Sequence, residues 1–382
     1  MSILLLCCSM LSYVYQDSDS LLVSGHDSLV ICGAHNYNLK VHLVNGGRLR
    51  VRPGSAVSAD TLGWLMLHTI SIYIHDSSMI YGTGLGFPGG TNSHSDGWGP
   101  GAGQSGTSGG GGGAGYGGAG GDGGDTNPGI GGPTYGDSSD TLADRGSGGG
   151  AGRLSQVEGW GGNGGAKVYL KARRIIVDSS GIMTNGSNGA DASMEGGGGG
   201  SGGSIMIRAD TLTIRASSLN ADGGSGGSAS FGGGGGAGGG RIKVLYSAAF
   251  DFTELVTSAD GGIGGSGDYG NGENGDPGSI YIGTVIGVEE VIAPGPRRNE
   301  AGSLATVLWP NPSSGLVYLE SRALGSGPDI RVFDRTGRIV SARIIPRQGG
   351  SRRVVLDLAR LENGVYFICL DRKAFYPVVI AR

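Results

Sequence analysis

Gly203-Ser204-Ile205-Met206-Ile207 is one instance of a phrase that recurs along this chain. Val168 and Leu170 stand where Ile205 and Ile207 stand, followed by Ile242 and Val244 and then Ile280 and Ile282, a period of 37 to 38 residues. Further on in each unit, Ile175 and Val177 match Leu212 and Ile214, and Ile182 matches Leu219. Apolar residues two apart share one face of an extended strand, and no 3.6-residue periodicity competes with that reading. A fixed period of short alternating strands is the signature of stacked units, none of which buries its apolar face alone. The expected fold is therefore all-β: a right-handed parallel β-helix, or solenoid, over 20–283. Its strands stack about 4.8 Å apart with Ile, Val and Leu turned inward. Residues 39–43, 49–51 and 70–74 alternate in the same way around the tight turn Asn45-Gly46-Gly47, so 20–82 reads as tighter rungs of the same stack.

After its strands each unit dissolves into glycine, which supplies 84 of the 382 residues, about three times ordinary usage. Gly adds no side chain to a core and loses the most backbone entropy on folding, so it must be confined if the fold is to be stable. It is confined to the body, with one very long Gly-rich excursion over 83–164. The later excursions leave successive rungs at one offset and should emerge side by side. Two conformations are open to these arms. They are either extended polyproline-II-like helices bonded to parallel neighbours in a flat layer, or flexible loops, the usual state of Gly/Ser-rich sequence. Trp98, Tyr116, Tyr135, Trp160, Phe231 and Tyr269 punctuate the glycine. On a rigid layer they are candidate contacts for a glycan or protein ligand; their other reading is as pins that hold the arms to the stack.

Beyond the body the composition changes. Residues 284–303, centred on Pro294-Gly295-Pro296-Arg297-Arg298, read as a linker, and 304–382 as a separate Arg-rich, Gly-poor module. This module holds twelve Arg or Lys against six Asp or Glu, a net of +6, so the total of −4 leaves −10 for the rest. An acidic body does not favour nucleic acid, whose phosphates need Lys and Arg on one face. Inside the module come Trp309-Pro310-Asn311-Pro312-Ser313-Ser314-Gly315, then Ile330-Arg331-Val332-Phe333-Asp334-Arg335-Thr336-Gly337-Arg338, then Leu361-Glu362-Asn363-Gly364-Val365-Tyr366. Short alternating runs closed by Gly, Pro, Asn or Asp predict a small Ig-like antiparallel β-sandwich.

The order P-N-P-x-x-G, D-x-x-G-R, L-x-x-G-x-Y near a chain end resembles the type A C-terminal sorting domain of the type IX secretion system. That resemblance, confined to 304–382, implies the type IX machinery as a partner and the extracellular or outer-membrane surface as the destination. It also implies, in many members, removal of the tail and attachment to surface lipopolysaccharide. Pro310, Asn311, Pro312, Gly315, Asp334, Gly337, Arg338, Gly364 and Tyr366 are the positions that carry the motif. The family starts with an export signal. Residues 3–14 are apolar enough for one, but the first basic residue is Lys40, so 1–19 reads as a degenerate or truncated signal segment. The apolar run is too short to span a bilayer as a helix.

No assembled chemistry stands out. G-x-S-x-G occurs at 106–110 and 223–227, but a nucleophile elbow needs a strand before it and a helix after it, and here the flanks are more glycine. The six His, from His26 to His94, form no H-x-x-x-H, and Cys7, Cys8, Cys32 and Cys369 have no metal-site spacing. No catalytic residue, metal site or cofactor is expected. Asp222 and Asp260 occupy equivalent Ala-Asp-Gly-Gly positions, where Asp is first of all turn chemistry. The expectation is a non-catalytic secreted or cell-surface protein, an adhesin or envelope component. The alternative is a secreted β-helix polysaccharide lyase or hydrolase, which two carboxylates and a basic residue converging on one sheet face would favour.

Overall fold

The computed structural model describes residues 13–56, 62–136, 144–152, 159–247, 250–284, 306–309, 316–321, 330–334, 338–340, 342–346, 353–370 and 374–380. Those residues are all-β, with no helix among them, and the chain divides into two compact units after Thr284.

The first unit opens with β1 (Tyr13–Gln16), β2 (Ser20–Ser24), β3 (Ser28–Ile31), β4 (Gly33–Asn36), β5 (Lys40–Val44) and β6 (Arg48–Val51). The longer repeats supply β7 (Trp64–His75), β8 (Met79–Tyr81), β9 (Lys167–Asp178), β10 (Gly181–Met183), β11 (Ser204–Arg215) and β12 (Ser217–Asn220). The last are β13 (Arg241–Tyr246), β14 (Phe250–Asp251), β15 (Leu255–Ser258) and β16 (Ser279–Thr284). One sheet runs β1-β2-β5-β7-β9-β11-β13-β16, with β4 on β7 and β14 on β11; the other runs β3-β6-β8-β10-β12-β15. Among the described residues of this unit only β1 pairs antiparallel, against β2; every other strand pairing is parallel.

The register follows the sequence repeat. Val168, Ile205, Ile242 and Ile280 are paired in succession, as are Leu170, Ile207, Val244 and Ile282. Ile175 faces Leu212, Val177 faces Ile214 and Ile182 faces Leu219. Both sheets share one core of Leu, Ile and Val side chains, in which Ile205 is 1% exposed. Burying a side chain of this size contributes about 1.5–3 kcal/mol, so the inward rows are the main stabilising term. The last pair departs from expectation: Ile280 and Ile282 are 43% and 39% exposed, because among the described residues β16 is the edge of its sheet and pairs with β13 alone.

Alternation slips once in each long strand. In β9 the inward residues are Val168, Leu170 and Ala172, then Ile175 and Val177, with Arg173 and Arg174 both outward. In neighbouring repeats the two halves are separate strands, β4 and β5 or β13 and β14. At the corner leading to the second sheet, Ser77, Ser179, Ala216 and Glu254 all take positive φ, between 43° and 62°, in stacked turns.

The second unit contains β17 (Thr306–Trp309), β18 (Leu316–Ser321), β19 (Ile330–Asp334), β20 (Ile339–Val340), β21 (Arg343–Pro346), β22 (Arg353–Asp357), β23 (Gly364–Leu370) and β24 (Ala374–Ile380). They form two antiparallel sheets, β17-β18-β22-β21 and β20-β19-β23-β24. Val317, Leu319 and Leu356 of the first meet Val332, Ile368 and Ile380 of the second in one core. Residues 1–12, the linker from 285 to 303, and Pro310, Asn311, Pro312, Gly315 and Gly337 lie outside the described residues. Residues 13–16, which the sequence assigns to a signal segment, form β1.

Candidate contact surface

The glycine arms are ordered by their backbone. Consecutive amides from Gly196 donate to Gly232, Ala190 and Gly150, and the cycle then repeats with Gly199 to Gly235, Gly200 to Ser187 and Ser201 to Ser147, at 2.8–3.0 Å. The carbonyls of 196–201 accept in turn from Gly111, Gly227, Gly162, Ala114, Gly224 and Gly165. A threefold extended helix turns each peptide about 120° from the last, so its donors cycle through three directions and can bond to neighbours all round. Residues 233–240 repeat the pattern: Gly233, Gly236 and Gly239 donate to Gly270, Glu273 and Asp276; Gly234, Ala237 and Gly240 to Gly227, Gly224 and Ala221. Segments of 83–164 thread between them, Gly235 donating to Gly111 and Gly238 to Ala114. Of the two conformations open to the sequence, the arms adopt the layered one, several helices deep rather than one.

Glycine is required here by space. A Cβ added at Gly198 would fall on the Gly112 carbonyl, and one at Gly235 on the Gly121 carbonyl, with no flexible atom to move aside. Where a position points into a gap, Ala114, Ala237, Ser147 and Ser201 are accommodated fully buried. The two serines use their hydroxyls as lattice acceptors: Ser201 Oγ takes the Ser147 amide at 2.8 Å and Ser147 Oγ the Gly101 amide at 3.0 Å.

The punctuating aromatics separate into two groups. Tyr116 is 1% exposed, its ring against Tyr135 (4.7 Å) and under the Arg241 guanidinium (5.4 Å), while its hydroxyl accepts the Asp144 amide. The Tyr135 hydroxyl donates to the Arg145 carbonyl, and burial pushes both phenols above their usual range, Tyr135 well above. Tyr116 is too buried to meet a ligand; with half-buried Tyr135 it pins the long excursion, as buried Arg145 does by stacking on Phe87 (3.9 Å) and donating to the Leu62 carbonyl. Trp98 is half-buried and stacked on His94 at 4.1 Å. Trp160, Phe231 and Tyr269 are open to solvent at 53%, 37% and 71%.

Two of those three stand at stacked arm tips. The Phe231 amide donates to the Met194 carbonyl and the Tyr269 amide to the Phe231 carbonyl, in parallel with bridges joining Glu195, Gly232 and Gly270. The Phe231 and Tyr269 rings meet edge to face at 5.3 Å. Trp160 lies beside the first tip, its carbonyl accepting the Ala190 amide. The result is an exposed ring pair at the arm tips, with Trp160 exposed on the segment bonded to Ala190 of the first arm. On the outgoing helices, Asn185, Asn188 and Asp191, three apart, each accept the amide 37 residues on, from Asp222, Ser225 and Ser228.

A second feature was not legible in the sequence. A trough of about 410 Å³ follows the corner between the two sheets, lined by Ser77, Ser179, Ser180, Ser217 and Ser218 over Met79 and Val256. Its floor is the register row Met79, Gly181, Ser218, Val256, and the missing side chain at Gly181 opens the gap. The residues just before these turns are charged or basic: His75, Asp178 and Arg215 pair in register, with Arg215 Nη2 2.6 Å from Asp178 Oδ2. His75 Nδ1 is 2.8 Å from Asp76 Oδ2, which places its proton there and leaves Nε2 to accept from His42 Nε2 at 2.6 Å. Burial, then the neighbouring His75, holds His42 below its ordinary value and favours its neutral imidazole. Among the described residues no group of three or more His, Cys, Asp or Glu is arranged to hold a metal ion.

In the second unit the described part of the motif is a closed hairpin: the Asp334 amide donates to the Arg338 carbonyl at 2.9 Å, and the Arg338 amide to Asp334 Oδ1 at 3.0 Å. Gly364 begins β23, and Tyr366 on the same strand donates its hydroxyl to the Glu362 carbonyl. Residues 307–376 match the family model of a secretion system C-terminal sorting domain. The tail is a sorting domain. It marks the chain for export by the type IX machinery to the extracellular or outer-membrane surface. No curated protein and no solved structure matches the chain. No helix among the described residues is long and apolar enough to cross a membrane.

Proposed function

We propose that this is a non-catalytic surface protein, an adhesin or envelope component, whose body is a right-handed parallel β-helix and whose polyglycine bundle is the contact layer. The sorting domain carries the reading, since it delivers the body to a place where contact with other surfaces is the work to be done. Support comes from the rim of the bundle, where Trp160, Phe231 and Tyr269 are exposed on a scaffold stiffened by backbone hydrogen bonds. Rigid aromatic faces bind sugars or protein surfaces without ordering cost. After removal of the Ig-like tail, attachment to surface lipopolysaccharide would hold the body on the cell.

The test is a glycan array with the full chain and with the triple variant W160A/F231A/Y269A. The wild type is expected to bind one class of glycan and the variant to lose that binding while keeping its thermal transition. Equal binding by both removes the rim from the proposal. The address is tested separately: a chain lacking 304–382 should be retained in the periplasm, and surface protease accessibility of that truncated chain would count against it.

A secreted polysaccharide lyase or hydrolase is the second reading, favoured by one arrangement. Asp178, Arg215, His75 and Asp76 lie at the edge of the Ser-lined trough, carboxylates and bases on one face beside a cleft. Release of unsaturated or reducing ends from polysaccharide by wild type but not by D178N would move the assignment there.

A further inference from the structure

We propose that the third glycine arm is a built-in terminus of the bundle, closing it against any further polyglycine helix, including one from a second copy of this chain. In the first two arms the residues that face the next arm are free to donate. Gly196, Gly199 and Gly202 donate to Gly232, Gly235 and Gly238, and Gly233, Gly236 and Gly239 donate to the third arm. Advancing that last set by the 38-residue repeat gives 271, 274 and 277, which are Asn271, Asn274 and Pro277. Pro has no amide to offer. The two Asn side chains fold back on the same arm. Asn274 Oδ1 accepts the Gly264 amide at 2.9 Å and Asn271 Oδ1 the Gly267 amide at 3.0 Å. Those two amides are the equivalents of Gly226 and Ala229, which in the second arm donate outward to the carbonyls of Ile263 and Ser266. Of these outward donors, the amide at 277 is removed and those of Gly264 and Gly267 are satisfied within the arm. Asn271 and Asn274 keep their amides, but each carries a side chain where the equivalent Gly233 and Gly236 pack directly on the next arm's carbonyls. This is the polyglycine counterpart of blunting an edge strand with Pro and polar side chains. The bundle then meets a ligand through its faces and rim and does not grow by adding helices.

The experiment uses the full chain. Wild type should sediment as a single species whatever its concentration, as far as this edge is concerned. The variant N271G/N274G/P277G restores the amide at 277, frees those of Gly264 and Gly267 and removes the two blocking side chains, and it should self-associate with rising concentration. A folded variant that stays monomeric overturns the proposal, as does a wild-type oligomer that this substitution leaves unchanged. Amide exchange reads the caps directly, without any need for assembly. In N271A/N274A, Gly264 and Gly267 should exchange about tenfold faster or more, while Gly262 and Gly265, which donate to Ala237 and Gly234, keep their protection. Unchanged exchange at Gly264 and Gly267, or equal loss at all four amides, would sink the capping role.

Discussion

The β-sheets and the glycine bundle of the first unit solve the same packing problem with opposite materials. In the sheets, backbone groups pair along ladders and the interior is filled by side chains such as Ile205, Ile207, Leu212 and Ile214. In the bundle the interior is backbone, and peptide groups of neighbouring helices bond to one another where side chains would stand. The first depends on apolar burial and tolerates exchange among Ile, Val and Leu. The second depends on the absence of Cβ atoms and tolerates Ala or Ser only where a gap exists, as at Ala237 and Ser201. Stability in one region should therefore respond to polarity, and in the other to size.

The largest effect is expected in the sheets. Ile205→Asp would place a carboxylate among fully buried apolar side chains, costing several kcal/mol, about 4 or more, and unpairing the rungs on either side. Denaturant unfolding should show a lost or much earlier transition; near-wild-type stability would mean that the row is not a core row. Next comes Gly198→Val in the bundle, whose Cβ collides with the Gly112 carbonyl and whose cost should be about 3 kcal/mol or more. Its counterpart Ala237→Gly, at a position with room, should change stability by only about 1 kcal/mol. Similar melting shifts for these two would erase the distinction between size-limited and gap positions.

Arg145→Met should be intermediate. It keeps bulk over Phe87 but removes the donor to the Leu62 carbonyl, costing about 1–3 kcal/mol, and should raise exchange in 83–164 before the β-core opens. The smallest effect is at His42. Its proton affinity is depressed in the folded chain, so the stability it contributes is present above its ordinary value of 6.5 and is lost as pH falls through the lower folded value. His42→Gln should flatten that part of the pH–stability profile; an unchanged slope would free the His42–His75 pair from any role in it.

Much of the sheet architecture was legible because side chains encode it. The recurrence of Val168/Leu170 at 205, 242 and 280 fixes both inward face and register, since a slip of one residue would turn every apolar side chain outward. The exposure of Ile280 and Ile282 was not legible, because a repeat does not announce which copy is last. The aromatics were visible as a set, but not their division into buried Tyr116 with its half-buried partner Tyr135 and the exposed Trp160, Phe231 and Tyr269. That division depends on which helix each one leaves and what lies across from it. The pairing of His42 with His75, 33 residues apart, depends on the rung stagger, and no local motif signals it.

The sequence by itself determined that this chain is all-β, that its strands stack with a period of 37 to 38 residues, and that its tail is a sorting domain. Each of these is written in side chains, through apolar alternation or the turn and strand residues of the sorting motif. Only the tertiary structure decided the conformation of the arms, because a glycine run carries no side-chain pattern from which to read a partner. Its amides and carbonyls are identical at every position. What selects one set of partners is the side-by-side emergence of the arms from parallel β-strands already in register, together with Asn271, Asn274 and Pro277 at the edge.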